Sequence, residues 1–211
     1  MVDLTAMLLS ICVPTIPGRE SLLSRCLWSI TEQPAHVEAV EILVVEGDGP
    51  LGDKVNAAVK QATGRWVTIV DDDDWLAGCY VSEVTDALES DPDYVGLTVV
   101  EMSSGSFSAL SRTSGASKTW RGPARLPVPK GVTRTSIAET VHFGNEYASD
   151  RQWAAGVAAQ VETWVDIDRG LYFYDFWRDA SAFLGSGQRD VGWWPFDESN
   201  ISRITVNRGA S

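Results

Sequence analysis

The chain has 211 residues, 44% hydrophobic and 22% charged, which suits one domain with a sizeable core. No apolar run approaches the ~20 residues of a membrane span, and a formal net charge of −12 argues against wholesale wrapping of nucleic acid or an anionic membrane. The start of the sequence lacks the pattern of a secretory signal, and Cys12, Cys26 and Cys79 have no metal-ligand spacing, so a reduced, cytoplasmic setting is expected.

Met7 to Val13 is apolar and β-branched, a central-strand pattern ending at Pro14-Thr15. Leu22, Leu23, Cys26, Leu27 and Ile30 then recur at helical spacing, which predicts an amphipathic helix from about Arg19 to Gln33. Val40 to Val45 reads as a second strand, followed by Glu46-Gly47-Asp48-Gly49-Pro50. The next helix has Asp53 as a candidate cap, Val55, Ala58, Val59 and Ala62 on its apolar face, and Gly64 at its end. Arg65 to Val70 is a third strand, running straight into Asp71-Asp72-Asp73-Asp74. Val81, Val84, Thr85 and Leu88 mark a third helix, and Tyr94 to Val100 a fourth strand.

Strand and helix alternating through short links predict an α/β fold with a mostly parallel sheet flanked by helices. Right-handed crossovers would bring Pro14-Thr15, Glu46 to Pro50 and Asp71 to Asp74 to one edge and a single cleft. Beyond Glu101 regularity falls. Gly105 to Leu110 predicts a short strand, a low-regularity stretch follows to Arg134, and helical spacing resumes from Glu146 to Val161. Trp164 to Ile167 and Leu171 to Trp177 read as two strands joined near Asp168-Arg169-Gly170. Tyr172, Phe173, Tyr174 and Trp177 either line an acceptor pocket or simply make a good strand. Trp193 to Phe196 is expected to pin the tail to the core. No linker divides the chain, so a single domain is expected: residues 7–101 as one half, 102–138 as a basic flexible loop, and 139–211 as a smaller second half.

Two charge anomalies stand out. Four adjacent carboxylates repel one another unless something positive sits among them; a hard divalent cation is one answer and a solvated acidic loop the other. Residues 102–138 contain no acid and six bases (Arg112, Lys118, Arg121, Arg125, Lys130 and Arg134), so this segment is +6 and the remainder −18. Such a segment is a candidate for meeting phosphates. Several chemistries find no support: there is no G-x-x-x-x-G-K-[ST] loop, no G-x-G-x-x-G after the first strand and no G-x-S-x-G elbow, and two His residues make a His-based zinc site improbable.

The ordered series Leu9-Ser10-Ile11-Cys12-Val13-Pro14-Thr15, Val40 to Val45 with acids after it, Asn56 to Val67, and Val70-Asp71-Asp72-Asp73-Asp74 resembles family 2 glycosyltransferases of the GT-A fold. The resemblance covers about the first hundred residues and is looser from Glu146 to Trp177. It implies that Pro14, Thr15 and either Asp48 or Glu46 contact the nucleobase of a nucleotide-sugar donor, uracil being the first expectation. It implies further that Asp71 and Asp72 meet the donor, Asp71 at the ribose, and that Asp73, with Asp71, holds Mn²⁺ or Mg²⁺. An arginine common in the following helix of the family is here Val55, with Lys54 as a possible substitute. The family places a catalytic carboxylate at the start of the late helix. Asp150 occupies that position in Gly144-Asn145-Glu146-Tyr147-Ala148-Ser149-Asp150, with Glu146 as the alternative; either residue also suits a helix N-terminus for purely electrostatic reasons. His142 is either a further metal ligand or a structural histidine beside Phe143.

The implied function is inverting, metal-dependent transfer of a sugar to an acceptor hydroxyl, on a saccharide or a hydroxymethylated base in DNA. A nucleotidyltransferase acting on sugar phosphates and a non-catalytic nucleotide-sugar-binding module are the competing readings. The first lacks a Gly-rich, basic loop after the opening strand; the second requires Asp150 to point away from the cleft.

Overall fold

The computed structural model describes residues 8–34, 39–103, 106–120, 124–176 and 204–208. In chain order its elements are β1 (Leu9–Thr15), α1 (Glu20–Thr31), β2 (Val40–Glu46), α2 (Leu51–Gln61), β3 (Trp66–Ile69), β4 (Trp75–Leu76) and α3 (Tyr80–Leu88). There follow β5 (Tyr94–Ser103), β6 (Ser106–Arg112), β7 (Val132–Arg134), α4 (Thr135–Ala138), α5 (Ser149–Ala158), β8 (Trp164–Phe176) and β9 (Ile204–Arg208). Trp177, Trp193 to Phe196 and Arg121 lie outside the described residues.

One sheet has the order β4-β8-β5-β7-β3-β1-β2-β9, with β6 paired to β5. Strands β9, β2, β1, β3, β5 and β8 run one way, and β4, β6 and β7 the other. The sheet is thus parallel through its β2-β1-β3 centre and mixed beyond, because antiparallel β7 is wedged between β3 and β5.

The central strands are predominantly apolar on both faces because both faces are covered. Leu9, Ile11, Val13, Ile42 and Val44 pack on one face with Cys26, Leu27 and Ile30 of α1 and Tyr80, Val81, Val84 and Leu88 of α3. Cys12, Leu43, Val45, Val67 and Ile69 pack on the other with Val55, Ala58 and Val59 of α2 and Trp153 and Val157 of α5. Gly64 lies against β1: a Cβ there would come 2.6 Å from the Ser10 backbone nitrogen, and the Gly64 N–H donates to Ser10 Oγ at 2.8 Å.

Several elements differ from the sequence expectation. Helix α2 starts at Leu51 with Pro50 before it, so Asp53 sits inside the first turn rather than capping it. Helix α5 begins at Ser149, leaving Glu146 in the preceding loop. The two strands expected around Asp168-Arg169-Gly170 are one strand, β8, parallel to β5, with register shifts at Leu97, Thr98 and Val99 absorbing the polar interruption. The segment expected as a flexible basic loop carries β6, β7 and α4, a bridge between Thr113 and Arg125, and Leu126 and Val128 packed on Ala154 and Ala158 of α5.

Candidate active site

Parallel pairing of β1 with both β2 and β3 puts their carboxyl ends side by side: Thr15 is in register with Glu46, and Cys12 with Ile69. The turns beyond them are then tied together. The Gly47 N–H donates to the Thr15 carbonyl at 3.3 Å, the Val70 N–H to the Cys12 carbonyl at 2.9 Å, and the Thr15 hydroxyl to Asp72 Oδ2 at 2.6 Å. Three turns distant in sequence meet at one sheet edge, where open α/β sheets bind ligands.

Within the acidic turn, exposure alternates. The side chains of Asp71 and Asp73 are 35% and 16% exposed, those of Asp72 and Asp74 2% and 0%. Asp72 and Asp74 therefore point into protein and fasten the turn, while Asp71 and Asp73 present carboxylate to the edge. Burial pushes the Asp72 carboxyl up to about 6, opposed by the Thr15 hydroxyl and the Arg19 charge. Burial likewise lifts Asp74 to about 7, against the pull of Lys130.

The positive charge that such a run demands is partly supplied by the chain. Arg19, just before α1, places Nη1 2.9 Å from Asp72 Oδ1 and Nη2 2.6 Å from Asp73 Oδ2. Arg25 of α1 donates to the Asp73 carbonyl and lies over the Trp75 ring at 4.5 Å. Lys130 donates to Asp71 Oδ2 at 2.9 Å, Asp74 Oδ2 at 2.8 Å and the Tyr172 hydroxyl at 3.0 Å. Burial alone lowers the Lys130 ammonium, but the Asp71 and Asp74 charges outweigh it and hold the group well above its ordinary value. Tyr172 completes the wall: its hydroxyl donates to Asp74 Oδ2 at 2.6 Å and accepts the Asp71 N–H at 3.2 Å. The Asp175 N–H reaches Asp74 Oδ1 at 3.0 Å. Of the aromatics on β8, Tyr172 is thus buried against the acidic turn, and Phe173 stacks on Trp75 with centroids 5.4 Å apart.

The other sequence-derived candidates fall around this edge. Pro14 is in β1 opposite Val45, and Thr15 is buried with its hydroxyl committed to Asp72. Glu46 ends β2, and Asp48 is exposed in the turn after it. Lys54 is buried beneath that turn, its Nζ donating to the Gly47 carbonyl at 3.0 Å; burial lowers its pKa, with the Asp72 and Asp48 charges opposing. Glu146 and His142 are exposed, and Asp150 is half-buried in the first turn of α5, where its Oδ1 accepts the Arg151 N–H at 2.9 Å.

The loop before α5 is fastened to α2. Asn56 exchanges two hydrogen bonds with the Phe143 backbone, both 2.9 Å, and Asn145 Nδ2 donates to Asp53 Oδ1 at 3.0 Å. This sets the Asp150 segment beside the start of α2, next to the Asp48 turn. Ala148, immediately before α5, takes φ +65°, a left-handed conformation costly for a residue with a Cβ and the sort of strain that gathers at working sites.

The donor set fits a divalent cation of the Mg²⁺ type, which is commonly bound through one or two carboxylates plus substrate phosphates and waters. Among the described residues no three His, Cys, Asp or Glu side chains converge on one point. Asp71 and Asp73 each have one oxygen on a protein cation, Oδ2 in both cases.

Sequence reasoning found the acidic turn and missed its partners. Arg19 and Arg25 gave no local signal, and Tyr172 stood out only as one of a run of aromatics, since their contacts with the turn lie 48 to 101 positions away in sequence. Lys130 was visible only as part of a basic run. The other described cations of that run are also engaged: Arg112 with Asp168, Lys118 with the Ala158 carbonyl at 2.7 Å, Arg125 with Glu101 at 3.1 Å, and Arg134 with Asp91 at 2.6 Å and Asp93 at 3.1 Å.

Residues 48–135 match the family model described as Glycosyl transferase family 2. No curated protein matches the sequence. Among solved structures, S. aureus TarS 1-349 superposes with a TM-score of 0.65 at 17% identity, over 80% of this chain and 60% of that one. The same protein in complex with UDP-GlcNAc gives a TM-score of 0.64 at 17% identity, over 81% and 59%. Mannosyltransferase PcManGT from Pyrobaculum calidifontis, in complex with GDP-Man and Mn²⁺, gives 0.55 at 15% identity, over 78% and 56%. The likeness is one of fold, and this chain spans less than two thirds of each of these structures. No helix among the described residues is long and apolar enough to cross a membrane.

Proposed function

We propose that this GT-A-fold, family 2-like chain is an inverting glycosyltransferase that takes a sugar from a nucleoside diphosphate sugar, a UDP-sugar first among candidates, and delivers it to an acceptor hydroxyl. The observation that carries the reading is the meeting of the β1, β2 and β3 turns, with Thr15 hydrogen-bonded to Asp72 and two carboxylates of the same turn, Asp71 and Asp73, partly exposed beside them. The turn after β2, with Glu46 and Asp48 above Lys54, borders the nucleobase. Asp71 would serve the ribose and, with Asp73, would hold a divalent ion. When bound, that ion neutralises the diphosphate and its developing charge. Arg19, already on Asp73, adds fixed positive charge at the same place.

In the transfer step the acceptor oxygen forms a bond to the anomeric carbon as the bond from that carbon to the phosphate oxygen breaks. The acceptor proton passes to the Asp150 carboxylate, and the nucleoside diphosphate leaves on the opposite face of the sugar. Asp150 is preferred over Glu146 for this role because it sits in the first turn of α5, whereas Glu146 is exposed in the preceding loop.

Of the two acceptor classes, the pairing of the basic segment favours a saccharide over a hydroxymethylated DNA base. The described cations that would meet a phosphate backbone already have protein partners. Three free thiols, two of them buried, are consistent with a cytoplasmic setting.

The test is hydrolysis of UDP-sugars by wild type and Asp73→Ala, with and without Mn²⁺. Wild type is expected to require the ion and Asp73→Ala to lose the response; activity indifferent to both ion and substitution removes Asp73 from the proposal.

A further inference from the structure

Lys130 is held where it stands by more than its own ion pairs. The Ile69 N–H donates to the Pro129 carbonyl at 3.1 Å, the Gly131 N–H to the Val128 carbonyl at 3.0 Å, and the Tyr94 hydroxyl to the same Val128 carbonyl at 3.1 Å. A Cβ at residue 131 would come 2.0 Å from the Tyr94 hydroxyl, so this turn accepts only glycine there. The backbone on both sides of Lys130 is thus locked onto β3 and β5, directly below the acidic turn. Its ammonium lies between Asp71 and Asp74 and over the Tyr172 and Tyr174 rings, at 4.4 and 4.5 Å from their centroids. Two carboxylates and two ring faces repay the dehydration of a cation in such a cage. Asp74 is fully buried and out of reach of solvent, whereas Asp71 is shared between this cage and the exposed edge.

We propose that Lys130 is a tethered counter-cation that competes with a divalent ion for Asp71, and so sets how weakly the acidic turn holds metal before a donor arrives. The inference rests on the reading of Asp71 and Asp73 as the metal-side carboxylates. An ammonium already on Asp71 Oδ2 repels an incoming ion and occupies one of the few oxygens available to it. Once an ion and a diphosphate are both present, the ammonium can retain Asp74 and the Tyr172 hydroxyl while giving up Asp71, so the exchange needs no backbone movement.

The experiment titrates Mn²⁺ alone into the full chain by calorimetry, for wild type, Lys130→Gln, Lys130→Met and Arg125→Gln. Arg125 also loses one positive charge on substitution, but its ion pair is with Glu101 and not with a carboxylate of the acidic turn. The two Lys130 variants are expected to bind Mn²⁺ about tenfold more tightly or better, as removal of a unit charge a few ångströms from the ion implies at intermediate screening. Arg125→Gln is expected to match wild type. Unchanged or weaker binding by the Lys130 variants overturns the proposal, as does equal tightening in Arg125→Gln, which would be a net-charge effect.

A second measurement uses wild type only and so survives misfolding of the variants. Amine acylation read by peptide mass spectrometry should show Lys130 becoming more reactive with Mn²⁺ while exposed Lys60 does not change; no change at Lys130 overturns the proposal. UDP titrated into Mn²⁺-loaded protein reads the donor assignment separately. Failure of UDP to bind faults that assignment and leaves the Mn²⁺ comparison intact.

Discussion

At the scale of single residues, the acidic turn divides its labour by burial. Asp74 is fully buried, and its folded-state carboxyl is pushed up to about 7 from the ordinary 3.8. Between those values the folded protein keeps a proton that the unfolded chain has released. Folding there takes up protons, so the stabilising contribution is complete below the unfolded value and is lost as pH rises through about 7. Asp72, lifted to about 6, acts in the same direction. Thermal melts from pH 5 to 8 should therefore fall, with each such proton contributing at most ~1.4 kcal/mol per pH unit. Asp74→Asn keeps the acceptor for the Asp175 N–H and removes the titration, so its melting curve should fall less steeply; an identical slope would mean that Asp74 does not change protonation in this range. Asp150 is tested differently, because among the described residues its side chain is hydrogen-bonded only to the Arg151 N–H. Asp150→Asn should lower kcat by ~10²–10⁴ with UDP affinity unchanged, the loss associated with a general base. A parallel loss in Glu146→Gln, with Asp150→Asn active, would reverse the two assignments.

At the scale of elements, what could be read from sequence depended on length and on how locally each element is determined. β1, β2 and β3 were legible because strands buried on both faces are predominantly apolar rather than alternating, and α1 to α3 because their apolar residues repeat at helical spacing. β4 and β7 have two and three residues, too few to show any period. β8 was split in two because Asp168-Arg169-Gly170 looks like a turn, yet Asp168 pairs with Arg112 and Arg169 with Glu83 along one continuous strand. The fastening of α5 to α2 was invisible for a related reason: Asn56 looks like any polar residue of an amphipathic helix until Phe143 is folded against it. That pair carries a consequence. Asn56→Ala removes two hydrogen bonds and strands a buried residue's N–H and carbonyl, at a cost of ~2 kcal/mol in stability. Because the same loop leads into Asp150, kcat should fall by more than UDP affinity does. A variant that melts early but turns over at the wild-type rate would separate the anchor from the catalytic role.

At the scale of the whole molecule, charge is distributed to be settled internally. The sequence carries −12 overall with +6 concentrated in 102–138, a pattern that by itself suggests a polyanion-binding loop. Folding instead brings the described bases of that segment onto Asp71, Asp74, Asp91, Asp93, Glu101, Asp168 and the end of α5. Such pairing is decided by contacts across the sheet, which no local pattern encodes. It also gives the two acceptor classes different salt dependences. A duplex read through 6–10 phosphate contacts loses ~10³–10⁵ in affinity between 50 and 200 mM salt. A neutral saccharide releases no counterions, so its acceptor KM should change by less than about tenfold over that range. Measured on an acceptor panel with donor and Mn²⁺ saturating, a flat response with saccharides supports the internal pairing as the working state. A steep response, weakened by Arg112→Gln and Arg125→Gln, would mean that these exposed pairs open to take phosphate. Surface pairs of this kind are worth only ~0–1 kcal/mol each, so opening them is cheap, and it is the salt slope rather than the ion pairs themselves that discriminates.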